Sequence, residues 1–417
     1  MAPRSDHGVH RVAMVSLHTS PAAQPGTADA GGMNVSILGL AVELAARGVE
    51  VDLLTRAVGS ASVRELAPGI RLRELTGGGA GALAKERLSE VADEFGEGVA
   101  ALARAERYDI IHAHYWLSGI ASLPVALELG IPFVQSFHTV AAMKDAAFGG
   151  EGADEPLIRV RSESFVGRQA DAIIAGSSAE AAALIDAAGV PADAIWIIPP
   201  GVDLALFRPR ESGSREVVRT VLGISDARKL VVLAGRIQPL KGHELAVRAI
   251  GALRAAGAEV PLLVVAGEAT PGGAGYELEL RLLARELGVE ADVRFIGALD
   301  REELAKLFDA ASVTLVPSFS ETFGLVALES AASGTPVLAY RAGGLSESVD
   351  DGVTGVLMDT RDPGEWAREL ESLLRGDERN ARLGSAGRAF AERFTWGAAA
   401  TSLLAVYSSL VAGSGRP

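Results

Sequence analysis

The sequence predicts an α/β protein made of two parallel-sheet domains in tandem. Three observations carry this. At 417 residues the chain is too long for one ordinary core. Short apolar runs alternate with helix-like stretches, the pattern of parallel strands joined by crossover helices. That alternation breaks once, at the Pro-rich segment IPPGVDLALFRPR (198–210), and then restarts. Domains of 1–203 and 204–394 follow, with a closing helical segment, 395–417.

In the first domain, residues 11–17 read as a buried strand. The loop HTSPAAQPGTADAGGMN (18–34) comes next, long for a strand-to-helix connection. Gly31 and Gly32 allow its backbone close to a ligand or serve a plain surface loop. A helix runs on to about Arg47. Residues 49–55 are the second strand, and the Gly-rich stretch 60–81 reads as irregular. Further strands are 109–112, 132–136, 171–175 and 195–198. Polar and aromatic residues recur at their C-terminal ends, where open α/β sheets bind ligands. The second series comprises 229–234, 262–266, 293–296, 312–316, 336–340 and 356–358. Two such domains would leave a ligand cleft.

Composition removes several classes. The net charge of −14 argues against a nucleic-acid partner, which needs a basic face. With no cysteine, disulfides, thiolate metal sites and cysteine nucleophiles are excluded. The start MAPRSDHGVH lacks the apolar stretch of a signal peptide, and no run of about 18 apolar residues suggests a membrane span. A cytoplasmic enzyme acting on small molecules is the expectation. The run at 77–81 does not join a strand to a helix, so a dinucleotide fingerprint is disfavoured, and no P-loop is present.

The chemistry concentrates in SVTLVPSFSETFGLVALESAASGTPVLAYRAGG (312–344). Glu321 precedes a helix and Glu329 lies eight residues on, about two turns away. Between them Thr322, Phe323, Gly324 and Leu325 present backbone N–H groups at a helix N-terminus, where anions are favoured. Carboxylates suit sugar hydroxyls, so this turn fits a nucleotide-sugar; an ordinary turn with two solvated glutamates has the same spacing. Arg236 and Lys241, in GRIQPLKG, suit a diphosphate, one as a bidentate fork and the other as a point charge. His138 follows a strand in SFHTVAAMK and reads alone as a structural residue or as a sugar contact.

The Glu321–Glu329 pair with Arg236 and Lys241 resembles the E-x7-E retaining glycosyltransferases of the GT-B architecture. That resemblance implies two Rossmann-like domains facing a cleft, with the last helix returning to the first domain. It implies His138, Arg236, Lys241 and Glu321 as catalytic, with no obligatory cofactor. Donor contacts would be Gln24, Pro25, Gly32, Arg236, Lys241, Glu321, Thr322, Phe323, Gly324, Leu325 and Glu329.

A finer likeness covers residues 11–400. VSLHTSPAAQPGTADAGGMNV, LAKE, HAHYWLSG, HTVAAMK, EPLIRV and LAGRIQPLK are similar to the mycothiol-pathway D-inositol-3-phosphate glycosyltransferases of actinobacteria. These transfer N-acetylglucosamine from UDP-GlcNAc to 1D-myo-inositol 3-phosphate. The implied acceptor site is His18, Asp29, Ala30, Gly31, Gly32, Met33 and Asn34 with Lys85, Tyr115, Thr139 and Arg159. The last four form a plausible phosphate cage: two cations, a phenol and a hydroxyl. The resemblance also implies a structural magnesium near Phe308, Asp309, Ala311 and Thr335, although the sequence shows no ligand cluster, and a homodimer. Ser36, Gly242-His243 and Glu268 depart from the family's pattern, which leaves open a paralogue using another nucleotide-sugar or another cyclitol or phosphorylated acceptor.

Overall fold

The structure, a computed structural model, describes residues 8–147, 156–210, 212–224, 228–270 and 274–413. Residues 1–7, on which the absence of a leader was read, lie outside it. The chain divides into two compact units. One holds Met1–Ala23, Gly32–Gly201 and Trp396–Pro417, the other Gln24–Gly31 and Val202–Thr395.

The first unit is built on eight strands: β1 (Arg11–Ser16), β2 (Glu50–Arg56), β3 (Ser62–Ala67), β4 (Ile70–Leu75), β5 (Ile110–His114), β6 (Phe133–Ser136), β7 (Ala172–Ala175) and β8 (Ile195–Ile197). They lie in the order β3-β4-β2-β1-β5-β6-β7-β8, all parallel except the antiparallel β3–β4 pair. The near-continuous burial of β1, β2 and β5 matches strands covered on both faces. The β3–β4 hairpin corrects the irregular reading of 60–81. The first four residues of β3 are exposed at the sheet edge, so its sequence carries no burial pattern. In β4, charged Arg71 and Arg73 alternate with buried Ile70 and Leu72, and both arginines pair with Asp52.

The helix Trp396–Gly413 closes this unit by packing on the helix Gly32–Ala46. The contact needs a glycine. A Cβ on Gly39 would lie 2.5 Å from Cδ2 of Trp396. Arg47 reaches the Gly397 carbonyl at 2.9 Å. By length and composition Trp396–Gly413 alone among the described helices could cross a membrane. Part of its apolar character serves this unit, where Trp396, Leu403 and Tyr407 are buried.

The second unit carries β9 (Leu230–Ala234), β10 (Leu262–Ala266), β11 (Val293–Phe295), β12 (Val313–Val316), β13 (Val337–Tyr340) and β14 (Gly355–Met358). Their order is β11-β10-β9-β12-β13-β14, all parallel. In each sheet the winding reverses once, between β1 and β5 in the first and between β9 and β12 in the second. Ligands bind beyond the strand C-termini at such reversals. The loop Gln24–Gly31, grouped by sequence with the first domain, belongs to this second unit. There the Glu268 N–H donates to the Gly26 carbonyl at 3.1 Å. Such a long-range backbone bond leaves no local sequence signal.

Candidate functional site

At the reversal of the first sheet, three side chains converge on Tyr115, the residue after β5. His18 lies 4.4 Å away, ring to ring. Lys85 Nζ and Arg159 Cζ stand 5.1 and 5.2 Å from the Tyr115 ring centre. Two cations against one aromatic ring concentrate positive potential where a phosphate would be welcome. Arg159 is buried, at 2% exposure, and donates to the Thr139 carbonyl and Oγ1 at 2.9 and 3.0 Å. Its Nε donates to Glu163 Oε1 at 2.7 Å, while Glu163 Oε2 accepts the Ala141 N–H at 2.9 Å. The carboxylate therefore aims the guanidinium. Tyr115 holds φ +73°, a conformation costly for a bulky residue and found where surrounding structure over-determines it.

Behind this cluster runs a chain of histidines. Parallel pairing of β5 with β6 sets His114 opposite Ser136, two residues before His138. His138 also has positive φ, +60°. Its Nε2 lies 2.9 Å from His114 Nδ1. The His112 and His114 rings are 4.1 Å apart. His112 Nδ1 meets the Tyr407 hydroxyl at 2.6 Å and its Nε2 meets Ser136 Oγ at 2.9 Å. Burial disfavours the charged imidazoles, pulling His112 to about 3, His138 to about 4 and His114 well below its ordinary value. Glu180 accepts the Gly176 N–H at 2.7 Å, and burial raises its carboxyl to about 7.

In the second unit the reversal between β9 and β12 brings Arg236, Lys241 and Glu321 to adjoining loops. Lys241 Nζ and Ser318 Oγ both donate to Glu321 Oε1, at 2.6 and 2.7 Å. The two loops are joined by the Phe319 N–H, which donates to the Leu240 carbonyl at 2.8 Å. Arg361 braces both. Its Cζ stacks 3.4 Å from the Phe319 ring centre, and its Nη1 donates to the Pro317 carbonyl at 2.9 Å. A Cβ on Gly242 would meet the Pro317 carbonyl oxygen at 2.1 Å, so only glycine permits this approach. Arg236 pairs with Asp29 at 3.3 Å, and a Cβ on Gly31 would lie 3.7 Å from Arg236 Nε. Asp29, Ala30 and Gly31 therefore lie with the Arg236 cluster in this unit, as do Gln24 and Pro25.

Gly324, at φ +104°, starts the helix Leu325–Ala332, and Gly344 N–H fixes the Glu321 carbonyl at 2.9 Å. Thr322 and Phe323 complete the turn, with Phe323 buried. Glu329 is buried on that helix and paired with Arg301 Nη1. Burial raises its carboxyl, and Arg301 opposes the shift. In the first unit Gly32 opens its helix, Met33 packs on the core, and the Asn34 amide donates to the Ser20 carbonyl at 2.7 Å.

The residues implied for magnesium do meet. Thr335 Oγ1 donates to the Phe308 carbonyl at 2.6 Å, which also accepts the Ala311 N–H at 3.0 Å. Asp309 Oδ1 accepts from the Arg210 N–H and Arg215, leaving Oδ2 without a partner among the described residues. One available carboxylate oxygen beside an occupied carbonyl does not match the oxygen shell magnesium demands. Among the described residues no group of three or more His, Asp or Glu could hold a metal.

Sequence reasoning missed Glu163, Arg301, His114 and Arg361. Glu163 had a usable signal, four residues past Arg159 on a helix. The other three act across long separations.

Two family models match the chain, "Glycosyltransferase Family 4" over residues 30–206 and "Glycosyl transferases group 1" over 214–390. The D-inositol 3-phosphate glycosyltransferase of Nocardia farcinica is 41% identical over 421 residues, covering 98% of this chain and 91% of that one. The protein of that name in Streptomyces scabiei is 42% identical over 407 residues, covering 96% and 91%. Among solved structures, sucrose-phosphate synthase from Thermosynechococcus elongatus superposes with a TM-score of 0.89 at 30% identity, over 97% of this chain and all of that one. Anabaena HepE in complex with UDP and glucose gives 0.78 at 21% identity, over 95% and 99%, a likeness of fold.

Proposed function

The chain belongs to the D-inositol 3-phosphate glycosyltransferase family, and from that membership we propose that it transfers N-acetylglucosamine from UDP-GlcNAc to 1D-myo-inositol 3-phosphate with retention of configuration. The observation that carries the acceptor assignment is the convergence of Lys85 and Arg159 on the ring of Tyr115. A phosphate monoester matches that pair in charge, and Arg159, aimed by Glu163, supplies directed N–H donors.

On the donor side Arg236 and Lys241 take the diphosphate. The Glu321–Glu329 turn takes sugar and ribose hydroxyls. As the bond from the anomeric carbon to the phosphate oxygen breaks, negative charge gathers on departing UDP, and the two cations stabilise it. An acceptor hydroxyl attacks from the face UDP leaves. Its oxygen bonds to the anomeric carbon and its proton passes to a UDP phosphate oxygen. His138 contacts the transferred sugar. A homodimer and a cytoplasmic location complete the proposal, the first checked by solution mass.

The test is a donor-by-acceptor matrix: UDP-GlcNAc, UDP-glucose and GDP-mannose against inositol 3-phosphate, free inositol and no acceptor, with nucleotide release measured. Turnover confined to UDP-GlcNAc with inositol 3-phosphate supports the proposal. Turnover with a different pair makes the chain a paralogue. No turnover with any pair refutes it.

A further inference from the structure

One buried group next to His138 has no part in the proposed mechanism: His114. Its Nδ1 faces His138 Nε2 at 2.9 Å. Its own Nε2 is buried and has no hydrogen-bond partner among the described residues. Both rings are held neutral by burial, so each carries one proton. If His138 Nε2 donated, the His114 proton would sit on Nε2 as an orphaned N–H in the interior. If His114 Nδ1 donates, the orphan is a bare ring nitrogen. Orphaned buried N–H groups are the rarer of the two, which favours the second arrangement.

We propose that His114 is a positioning residue whose Nδ1–H donates to His138 Nε2, fixing His138 as the neutral tautomer protonated on Nδ1. His138 then has no lone pair left on Nε2 to accept a proton. Its side chain serves as a hydrogen-bond donor through Nδ1, toward an oxygen of the transferred sugar, and not as a general base. That last step rests on the glycosyl-transfer reading; the tautomer does not.

The surroundings hold His114 in place. Its ring packs 4.1 Å from His112, which is gripped on both nitrogens, by the Tyr407 hydroxyl and by Ser136 Oγ. Tyr407 comes from the C-terminal helix, so the last element of the chain anchors the row that ends at His138. His138 is fixed from its backbone too, at φ +60° beside buried Glu180.

Long-range nitrogen–proton NMR of the full chain, without substrate, reads the tautomer directly. A protonated Nδ1 and a bare Nε2 on His138 are expected; the reverse overturns the proposal whether or not the protein turns over. Three variants then link tautomer to rate. His114→Asn sets an amide near the Nδ1 position, His114→Gln sets one near Nε2, and His114→Leu has none. The Asn variant should keep the tautomer and a kcat within about threefold, while Gln and Leu lose about tenfold or more with donor KM changed less than about twofold. Equal losses in folded Asn and Gln variants overturn the positioning role. If His114→Leu does not fold, the Asn and Gln pair still decides. Absence of turnover in the unaltered protein would sink the glycosyl-transfer reading while the spectrum still settles the tautomer.

Discussion

Lys241 Nζ and Glu321 Oε1 stand 2.6 Å apart, joining the loops that follow β9 and β12. Neither side chain is deeply buried, at 23% and 16% exposure, so both remain within reach of a ligand. The pair spans the reversal of the sheet, where a diphosphate can draw the cation from the carboxylate.

Lys241→Ala removes one of two charges available to departing UDP. In the UDP-release assay kcat should fall on the order of 10²–10³-fold, the usual size of such electrostatic losses, with the acceptor KM little changed. A raised acceptor KM at unchanged kcat would contradict the donor assignment.

Arg159→Leu takes the paired guanidinium away from buried Glu163. By chemical denaturation the protein should lose about 3–5 kcal/mol. Adding Glu163→Leu should restore much of that, though the Ala141 N–H then lacks its acceptor. The acceptor KM should stay raised by tenfold or more (about 1.4 kcal/mol) in both variants, since no stability repair returns the guanidinium. Recovery of acceptor KM in the double variant would contradict the phosphate assignment.

Gly39→Ala drives a methyl group into the Trp396 indole, where the ideal Cβ would sit 2.5 Å away. Overpacking of this kind costs about 1–3 kcal/mol. Thermal unfolding should show a lower Tm, and pairing with Trp396→Leu should recover part of the loss.

Acid should destabilise the first unit. His112 and His138 have folded values near 3 and 4, below an ordinary 6.5, so the unfolded chain binds more protons through that interval. Their contribution is present above pH 6.5 and is lost as the pH falls toward 4 and below. Glu180 works in the opposite sense. Its folded value, about 7, exceeds its ordinary 4.5, so its contribution is present below pH 4.5 and fades as the pH rises to 7. Tm measured against pH should fall below pH 6.5. Glu180→Gln should gain relative to the unaltered protein as pH rises from 4.5 to 7; no relative gain would mean its carboxyl is not shifted.

The parallel strands were legible because burial on both faces wrote unbroken apolar runs such as VAMV in β1 and LVVLA in β9. The β3–β4 hairpin was not, since β3 is mostly exposed and β4 interleaves arginines with its apolar residues. The cations near Tyr115 could be named from sequence, and the carboxylate aiming Arg159 was missed although its four-residue spacing on one helix is a local signal. His114 and His138 are 24 residues apart, and their meeting depends on strand register. Arg301 and Glu329 are separated by 28 and meet only through the fold. Pairing across such distances is set by topology, which local composition does not encode.

The division of the chain also sets an order of birth. Synthesis runs from the N-terminus, so the second unit has all its residues once Thr395 is made. The first unit, begun earlier, must wait for Trp396 onward. Until then Gly39 faces no indole and His112 has no Tyr407 hydroxyl. The domain that starts first is finished last, and the row of histidines ending at His138 stays unanchored until the final helix arrives.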